Sequence, residues 1–265
     1  MLRWIAQNKY KVMAIIIVLY LVVDIAEHKG QVKVLLPKTF IPYKIFTGET
    51  ENEQGIINKN KEWVKAVDTK ELLAKVDVNV SGIECDVYFN PEKNIFEIHH
   101  DPDKTTGFTL EELLESYSQR KLPASIWLDF KNLNDCNCHA AVSALRILSH
   151  KYNLREKILV ESARADLLPL FSEASFFTSY YIPLFNPYSF NESETKRWVD
   201  SISSVLTKYK VNALSGYYYQ YQFLHHYFPV YPLLTWIEDD KLSLVNYLFR
   251  KKIASDSSIF IVLKP

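Results

Sequence analysis

A parallel α/β architecture closed into a (β/α)8 barrel and preceded by an N-terminal hydrophobic helix is the fold class that the sequence predicts. Three observations predict it. Short apolar runs alternate with helix-like stretches from about residue 61 onward, the rhythm of βα units rather than of hairpins. The 265 residues, 48% of them apolar, can bury one large core, and a single barrel of about 200–250 residues is of ordinary size. Glycine is scarce, with six in all, and no glycine-rich loop follows the first apolar run. A doubly wound sheet, the runner-up, normally uses such a loop to hold phosphate.

The chain divides into residues 1–27, a linker over 28–60, and the barrel over 61–265. Arg3, Lys9 and Lys11 precede an apolar run from Val12 to Val23, which ends at Asp24. Twelve residues match a signal-peptide core better than the roughly 20 that cross a bilayer. No small-x-small cleavage site follows, and Ile25-Ala26 would extend the apolar stretch if the Asp24 side chain reached the interface. The segment therefore reads as an uncleaved signal anchor, with a cleaved signal peptide or a packed helix as alternatives. Lysines at 29, 33, 38 and 44 blur the charge asymmetry, leaving a membrane-anchored, extracytoplasmic barrel as the expectation. The linker mixes Gly30, Pro37, Pro42, Gly48 and Gly55 with charges and shows no sustained periodicity, as a tether followed by a partly ordered lead-in would.

Strands are expected near 62–67, 82–88, 94–99, 125–130, 157–161, 175–182, 211–215, 230–236 and 258–263. Eight staves remain if 94–99 is a second arm folded back on its predecessor. Thr109 with Glu112 has capping-box spacing, Asn191 or Ser193 opens a long helix through Tyr209, and Ala141, Leu145 and Leu148 share a face between Cys138 and Tyr152. The run Tyr217–Tyr221 contains four tyrosines, suited to rim packing or to contact with a ligand or lipid. Three cysteines make no disulfide framework, and Cys136-Asn137-Cys138-His139 lacks the spacing of a structural zinc site. Acidic and basic residues balance at 31 each, which excludes the broad positive field that nucleic acid requires.

The chemistry lies in three segments. In Gly82-Ile83-Glu84-Cys85-Asp86-Val87, residues two apart share a strand face, so Glu84 and Asp86 project together while Ile83, Cys85 and Val87 turn to packing. In Trp127-Leu128-Asp129-Phe130-Lys131 the same alternation puts Asp129 beside Lys131. Between them lies His99-His100-Asp101-Pro102. Strand ends converge at one face of a barrel, so Glu84, Asp86 and Asp129 can meet. Grouped carboxylates repel and need a positive partner. A divalent cation with oxygen ligands, Mg²⁺ or Ca²⁺, meets that need; ion pairing to Lys65 and Lys131 at an ordinary barrel mouth is the alternative.

These motifs, with Thr109-Leu110-Glu111-Glu112, resemble the glycerophosphodiester phosphodiesterase and phospholipase-C-like TIM-barrel superfamily. The phrase Trp127-Leu128-Asp129-Phe130-Lys131-Asn132-Leu133 is more similar to its menorin-like branch. The resemblance implies a metal held by Glu84, Asp86 and Asp129, a phosphate steadied by Lys131, proton transfer by His100, and Trp236 at the substrate cleft. Its first-strand histidine, in a phrase of the type His-x-Val-Asn-Ser, is replaced within Lys65-Ala66-Val67-Asp68-Thr69. Lys65 can hold phosphate, transfer a proton, or stand in for the metal's charge. The implied function is metal-dependent hydrolysis of a glycerophosphodiester or phospholipid-derived phosphodiester. The alternative is a degenerate barrel that binds a phosphate ligand without hydrolysing it.

Overall fold

The computed structural model describes residues 8–50, 55–238 and 242–265; Arg3 lies outside them. Nine strands form one sheet: β1 (Glu62–Val64), β2 (Gly82–Asn90), β3 (Ile95–Ile98), β4 (Ser125–Phe130), β5 (Ile158–Ser162), β6 (Phe177–Tyr181), β7 (Ala213–Ser215), β8 (Leu233–Trp236) and β9 (Ile259–Lys264). Eight run parallel and close on themselves, since β1 pairs with β9 through Trp63 and Leu263 and with β2 through Val64 and Ile83. The ninth, β3, folds back antiparallel on the distal half of β2. The expected extension of β2 is therefore present, and each expected apolar run contains a strand.

The alternation along each strand separates two layers. Ile83, Cys85, Val87, Ile126, Leu128, Ile158 and Val160 face outward into the main core. Trp63, Trp127, Leu159, Phe177, Leu234 and Ile261 face inward and fill the lower barrel as a separate cluster. Polar residues occupy the same inward face one or two steps further along, at Asp86, Asp129, Glu161 and Ser179, which are neighbours in register. The barrel is thus plugged with apolar side chains below and lined with carboxylates above.

The helices are α1 (Lys9–Glu27), α2 (Lys29–Leu35), α3 (Lys70–Lys75), α4 (Leu110–Gln119), α5 (Cys138–Lys151), α6 (Leu168–Glu173), α7 (Glu192–Lys208), α8 (Tyr221–Tyr227) and α9 (Leu244–Ser255). Capping boxes open α4 at Thr109 and α7 at Asn191, where the side-chain oxygen accepts from the backbone N–H of the third helical residue and that glutamate accepts in return.

Parts of residues 28–50 pack against distant segments of the chain. In α2, Gln31 and Val34 are buried, and the Gln31 amide donates to Asn246 Oδ1 at 3.2 Å. Downstream, the Phe46 N–H donates to the Tyr227 carbonyl at 2.7 Å, and Tyr227 Oη donates to the Ile41 carbonyl at 2.9 Å. Seven helical residues are too few to display a period, and these contacts are all with distant parts of the chain.

Asp24 is also held by distant residues. Instead of reaching an interface it is 4% exposed, accepts from the Val245 N–H at 3.0 Å, and lies 3.0 Å from His28 Nδ1. It thereby satisfies an otherwise orphaned donor at the start of α9. Among the described residues, no helix is long and apolar enough to cross a membrane.

The barrel floor depends on one glycine. A Cβ added at Gly82 would stand 2.0 Å from the Trp63 indole, and the ring has no free volume to retreat into, being 1% exposed. Gly82→Ala is expected to cost about 2–3 kcal/mol or more, measured by chemical denaturation, and the additional change Trp63→Leu should recover part of that loss.

Candidate active site

The site is assembled where β2, β4 and β5 end. Glu84, Asp86 and Asp129 each offer a ligand oxygen, and these oxygens lie within 4.8 Å of one another. Glu84 and Asp86 are buried, at 3% and 4% exposure. The register explains the convergence: Asp86 pairs with Asp129, and Glu84 lies two residues earlier on the same inward face of β2. Lys131 follows β4 and bridges two of the acids, with Nζ 2.8 Å from Asp86 Oδ1 and also donating to Asp129 Oδ2. Its position comes from the turn, where the Lys131 N–H donates to the Val87 carbonyl at 3.0 Å.

The segment after β1 completes the wall. Ala66 takes a φ of 56°, a left-handed conformation unusual for a residue with a Cβ. In that conformation its N–H donates to Glu84 Oε2 at 2.7 Å. Asp68 Oδ1 accepts from the Asp86 N–H at 3.0 Å. Both contacts anchor the lead-in to β2 and fix the two carboxylates of that strand.

Two acids join the three that the sequence motifs single out. Glu161 on β5 is 2% exposed and its Oε2 has no hydrogen-bond partner. It feels the Asp129 and Glu84 charges. Asp68, half-buried, is the other. A lone glutamate inside the apolar run Ile158–Ser162 gives little sequence signal beyond its inward register. Asp68 was visible in principle, because it occupies the asparagine position of the His-x-Val-Asn-Ser pattern.

The electrostatics follow from crowding. Burial, and then the neighbouring Asp86 charge, push the Glu84 carboxyl well above its usual range. Burial raises Glu161 in the same direction. Asp129 is also raised by burial, although Lys131 opposes the shift. Burial and the Asp86 charge push Asp68 up to about 6. Burial disfavours the Lys131 ammonium, yet Asp129 and Asp86 hold it charged above the ordinary lysine range.

The remaining candidates divide. His100 stands at the mouth with its side chain 74% exposed and Nδ1 3.3 Å from Asp101 Oδ1, close enough for its charge to act on Asp68 and Asp129. His99 points away: its ring stacks on Tyr88 at 4.2 Å and its Nδ1 lies 2.8 Å from the Asp101 carbonyl. Lys65 follows β1, is half-buried, and makes no ion pair among the described residues. The cation inside the acidic cluster is Lys131. Trp236 ends β8, half-buried, with its ring 4.8 Å from Tyr217 and 5.6 Å from Tyr181. The tyrosine run itself splits, with Tyr217 and Tyr219 stacked at the mouth and Tyr221 buried in the core. Cys136 and Cys138 are free thiols.

A glycerophosphodiester phosphodiesterase from Thermotoga maritima superposes with a TM-score of 0.53 at 17% identity, covering 78% of this chain and 95% of that one. The chain shares the barrel fold of that enzyme. Another such enzyme, from Parabacteroides distasonis, gives 0.51 at 13% identity over 78% of this chain and 94% of its own. A phosphodiesterase from Oleispira antarctica, solved in complex with the product sn-glycerol-3-phosphate, gives 0.51 at 13% identity over 77% and 92%. No family model and no curated protein matches the sequence. The finer likeness to a menorin-like branch gains no support from these structures. In this barrel the acids and Lys131 occupy the C-terminal ends of the strands, the face on which (β/α)8 barrels build their sites.

Raised carboxyl pKa values lower stability as the groups ionise. Between the ordinary 3.8 and about 6, Asp68 binds protons more tightly in the folded chain than in the unfolded one. Stability therefore falls as pH rises through that window, and the upward shifts of Glu84, Glu161 and Asp129 act in the same direction. In chelator, the melting temperature is expected to be on the order of 5 °C higher near pH 5 than near pH 7.5. Added Mg²⁺ or Ca²⁺ should shrink that difference, and thermal melts with and without the ion measure it.

Proposed function

We propose that this chain is a metal-dependent phosphoric diester hydrolase acting on a glycerophosphodiester or phospholipid-derived phosphodiester. The observation that carries the reading is the convergence of Glu84, Asp86 and Asp129 within 4.8 Å, with Lys131 bridging two of them. The donor set fits a hard cation: the oxygens are carboxylates, they are buried, and a single lysine leaves their charge uncompensated. Mg²⁺ and Ca²⁺ both suit such oxygens, and Glu84, Asp86 and Asp129 would hold the ion. When bound, it supplies Lewis-acid polarisation of a phosphoryl oxygen.

The chain's own residues account for the other requirements. Lys131, its side chain 27% exposed, keeps a charged ammonium within reach of the mouth, where it can orient a phosphate as a point charge. His100 is exposed at the rim and is the group placed to give a proton to the departing alcohol oxygen. Trp236, Tyr181 and Tyr217 form an aromatic wall against which the alcohol moiety can pack. Ala66 and Asp68 act as positioning residues, holding Glu84 and Asp86 through the backbone. The product complex of the Oleispira antarctica phosphodiesterase supports a small glycerol-phosphate moiety as the part recognised. Membrane attachment through residues 1–27 belongs to the same reading, supported by the apolar run from Val12 to Val23.

One observation favours a second reading. Lys65 stands where the superfamily pattern has histidine, so proton transfer has one histidine instead of two, and the pocket can bind phosphate without turning it over. Hydrolysis of a glycerophosphodiester with Mg²⁺ or Ca²⁺ separates the two. Asp86→Asn and Asp129→Asn are each expected to lower kcat/KM at least about a hundredfold. Lys65→His should raise turnover if lysine is what weakens the site. Robust wild-type activity that Lys65→His leaves unimproved refutes the degenerate reading, and no turnover by either protein refutes hydrolysis.

A further inference from the structure

The N-terminal helix is fastened to the barrel in a defined direction. Contacts between the α1–α2 segment and α9 ascend together. Tyr20 Oη donates to the Leu242 carbonyl and accepts from the Leu244 N–H at 3.2 Å, and Asp24 accepts from the Val245 N–H at 3.0 Å. Gln31 then meets Asn246 at 3.2 Å, and Lys252 Nζ donates to the Val34 carbonyl at 2.8 Å. The two elements therefore run parallel. Because α9 connects β8 to β9, its first residue stands at the C-terminal ends of the strands, on the same face of the barrel as the carboxylate site, and its last at the opposite face. Everything in α1 before Tyr20 consequently projects beyond the mouth side of the barrel. From Lys9 to Leu19 this is about 16 Å of helix.

That projecting part is apolar on all sides. Ile15, Ile16, Ile17, Val18 and Leu19 are five consecutive residues, each at least 50% exposed. They cover more than a full turn, so no single stripe accounts for them. A protein partner covers one face of a helix, whereas lipid covers the whole circumference. Tyr10 and Tyr20 stand at either end of the run, and Lys9 and Lys11 close its tip, the arrangement of aromatic and basic side chains that meets headgroups. The apolar surface continues onto the start of α9 through Leu242, Leu244, Tyr247 and Leu248, all exposed.

We infer that α1 enters a lipid bilayer from the mouth side of the barrel, so that the carboxylate site opens toward the membrane surface and takes its phosphodiester from a lipid that is itself anchored there. The substrate part of this inference rests on the hydrolase reading above; the orientation does not.

Vesicles of phosphatidylcholine and phosphatidylglycerol test it with the full chain. Wild type is expected to co-sediment with them. The double substitution Ile16→Asp and Leu19→Asp lies outside the contact with α9 and outside the site, and should weaken binding by about tenfold or more while leaving the melting temperature and the turnover of soluble glycerophosphodiester unchanged. Orientation is read from the native thiol at Cys136, which is exposed in the connection after β4 and therefore at the mouth. A fluorophore there should be quenched by brominated phosphatidylcholine. One introduced by Arg155→Cys in a Cys136→Ser background, on the connection between α5 and β5 at the opposite face, should not. Vesicle-borne lysophospholipid should be hydrolysed faster than its soluble deacylated counterpart. Failure of wild type to bind, equal binding by the double variant, self-association that buries α1 in place of vesicle binding, or equal quenching at both labels overturns the orientation. Faster turnover of the soluble compound overturns the lipid substrate. Binding and one-sided quenching with no turnover of either compound would uphold the orientation and refute hydrolysis.

Discussion

Carboxylates that repel one another, held close in a space from which water is largely excluded, are the constraint around which the upper half of the barrel is arranged. Asp68, Glu84, Asp86, Asp129 and Glu161 share that space with a single bridging lysine. Such a grouping persists only where the surrounding structure over-determines it. The means are visible: a left-handed Ala66 whose N–H faces Glu84, an Asp86 N–H that occupies Asp68, and continuous parallel pairing across β1, β2, β4 and β5 that leaves those strands no freedom to spread. The lower half contributes by packing. Its inward side chains are large and apolar, so the strain above is carried on a rigid base.

The N-terminal segment extends the same logic to the outside of the barrel. Polar groups that would be costly to bury alone are buried in pairs: Asp24 with His28 and the start of α9, and Gln31 with Asn246. Those pairs specify one docking pose and not merely an attraction, because hydrogen bonds demand direction where apolar contact does not. The residues after α2 follow the barrel wall, with Phe46 buried and Phe40 packed on Phe223.

How much of this could be read beforehand depended on whether the information was local. The nine strands were legible because alternation at period two survives in short runs such as Ile126-Trp127-Leu128-Asp129. The helix starts at Thr109 and Asn191 were legible because a capping box is contained within four residues. Glu84, Asp86 and Asp129 were legible as a group because the strand period fixes their common face and the barrel brings strand ends together. Glu161 was legible only as a strand-end residue able to add a polar group to the pocket, since a single acid in an apolar strand has no local partner to declare its role. The helix Lys29–Leu35 was hidden because its stability comes from Asn246 and Lys252, more than two hundred residues away. Of the two lysines, Lys65 and Lys131, that could pair with the acids, Lys131 bridges Asp86 and Asp129; which of them does so is a matter of reach and direction, which are tertiary properties.

The two indoles at the bottom of the barrel have an effect on traffic. Trp63 lies over Gly82, and with Trp127, Phe177 and Ile261 it closes the lower end, so there is one doorway. Whatever is admitted to the carboxylate end must back out the way it came.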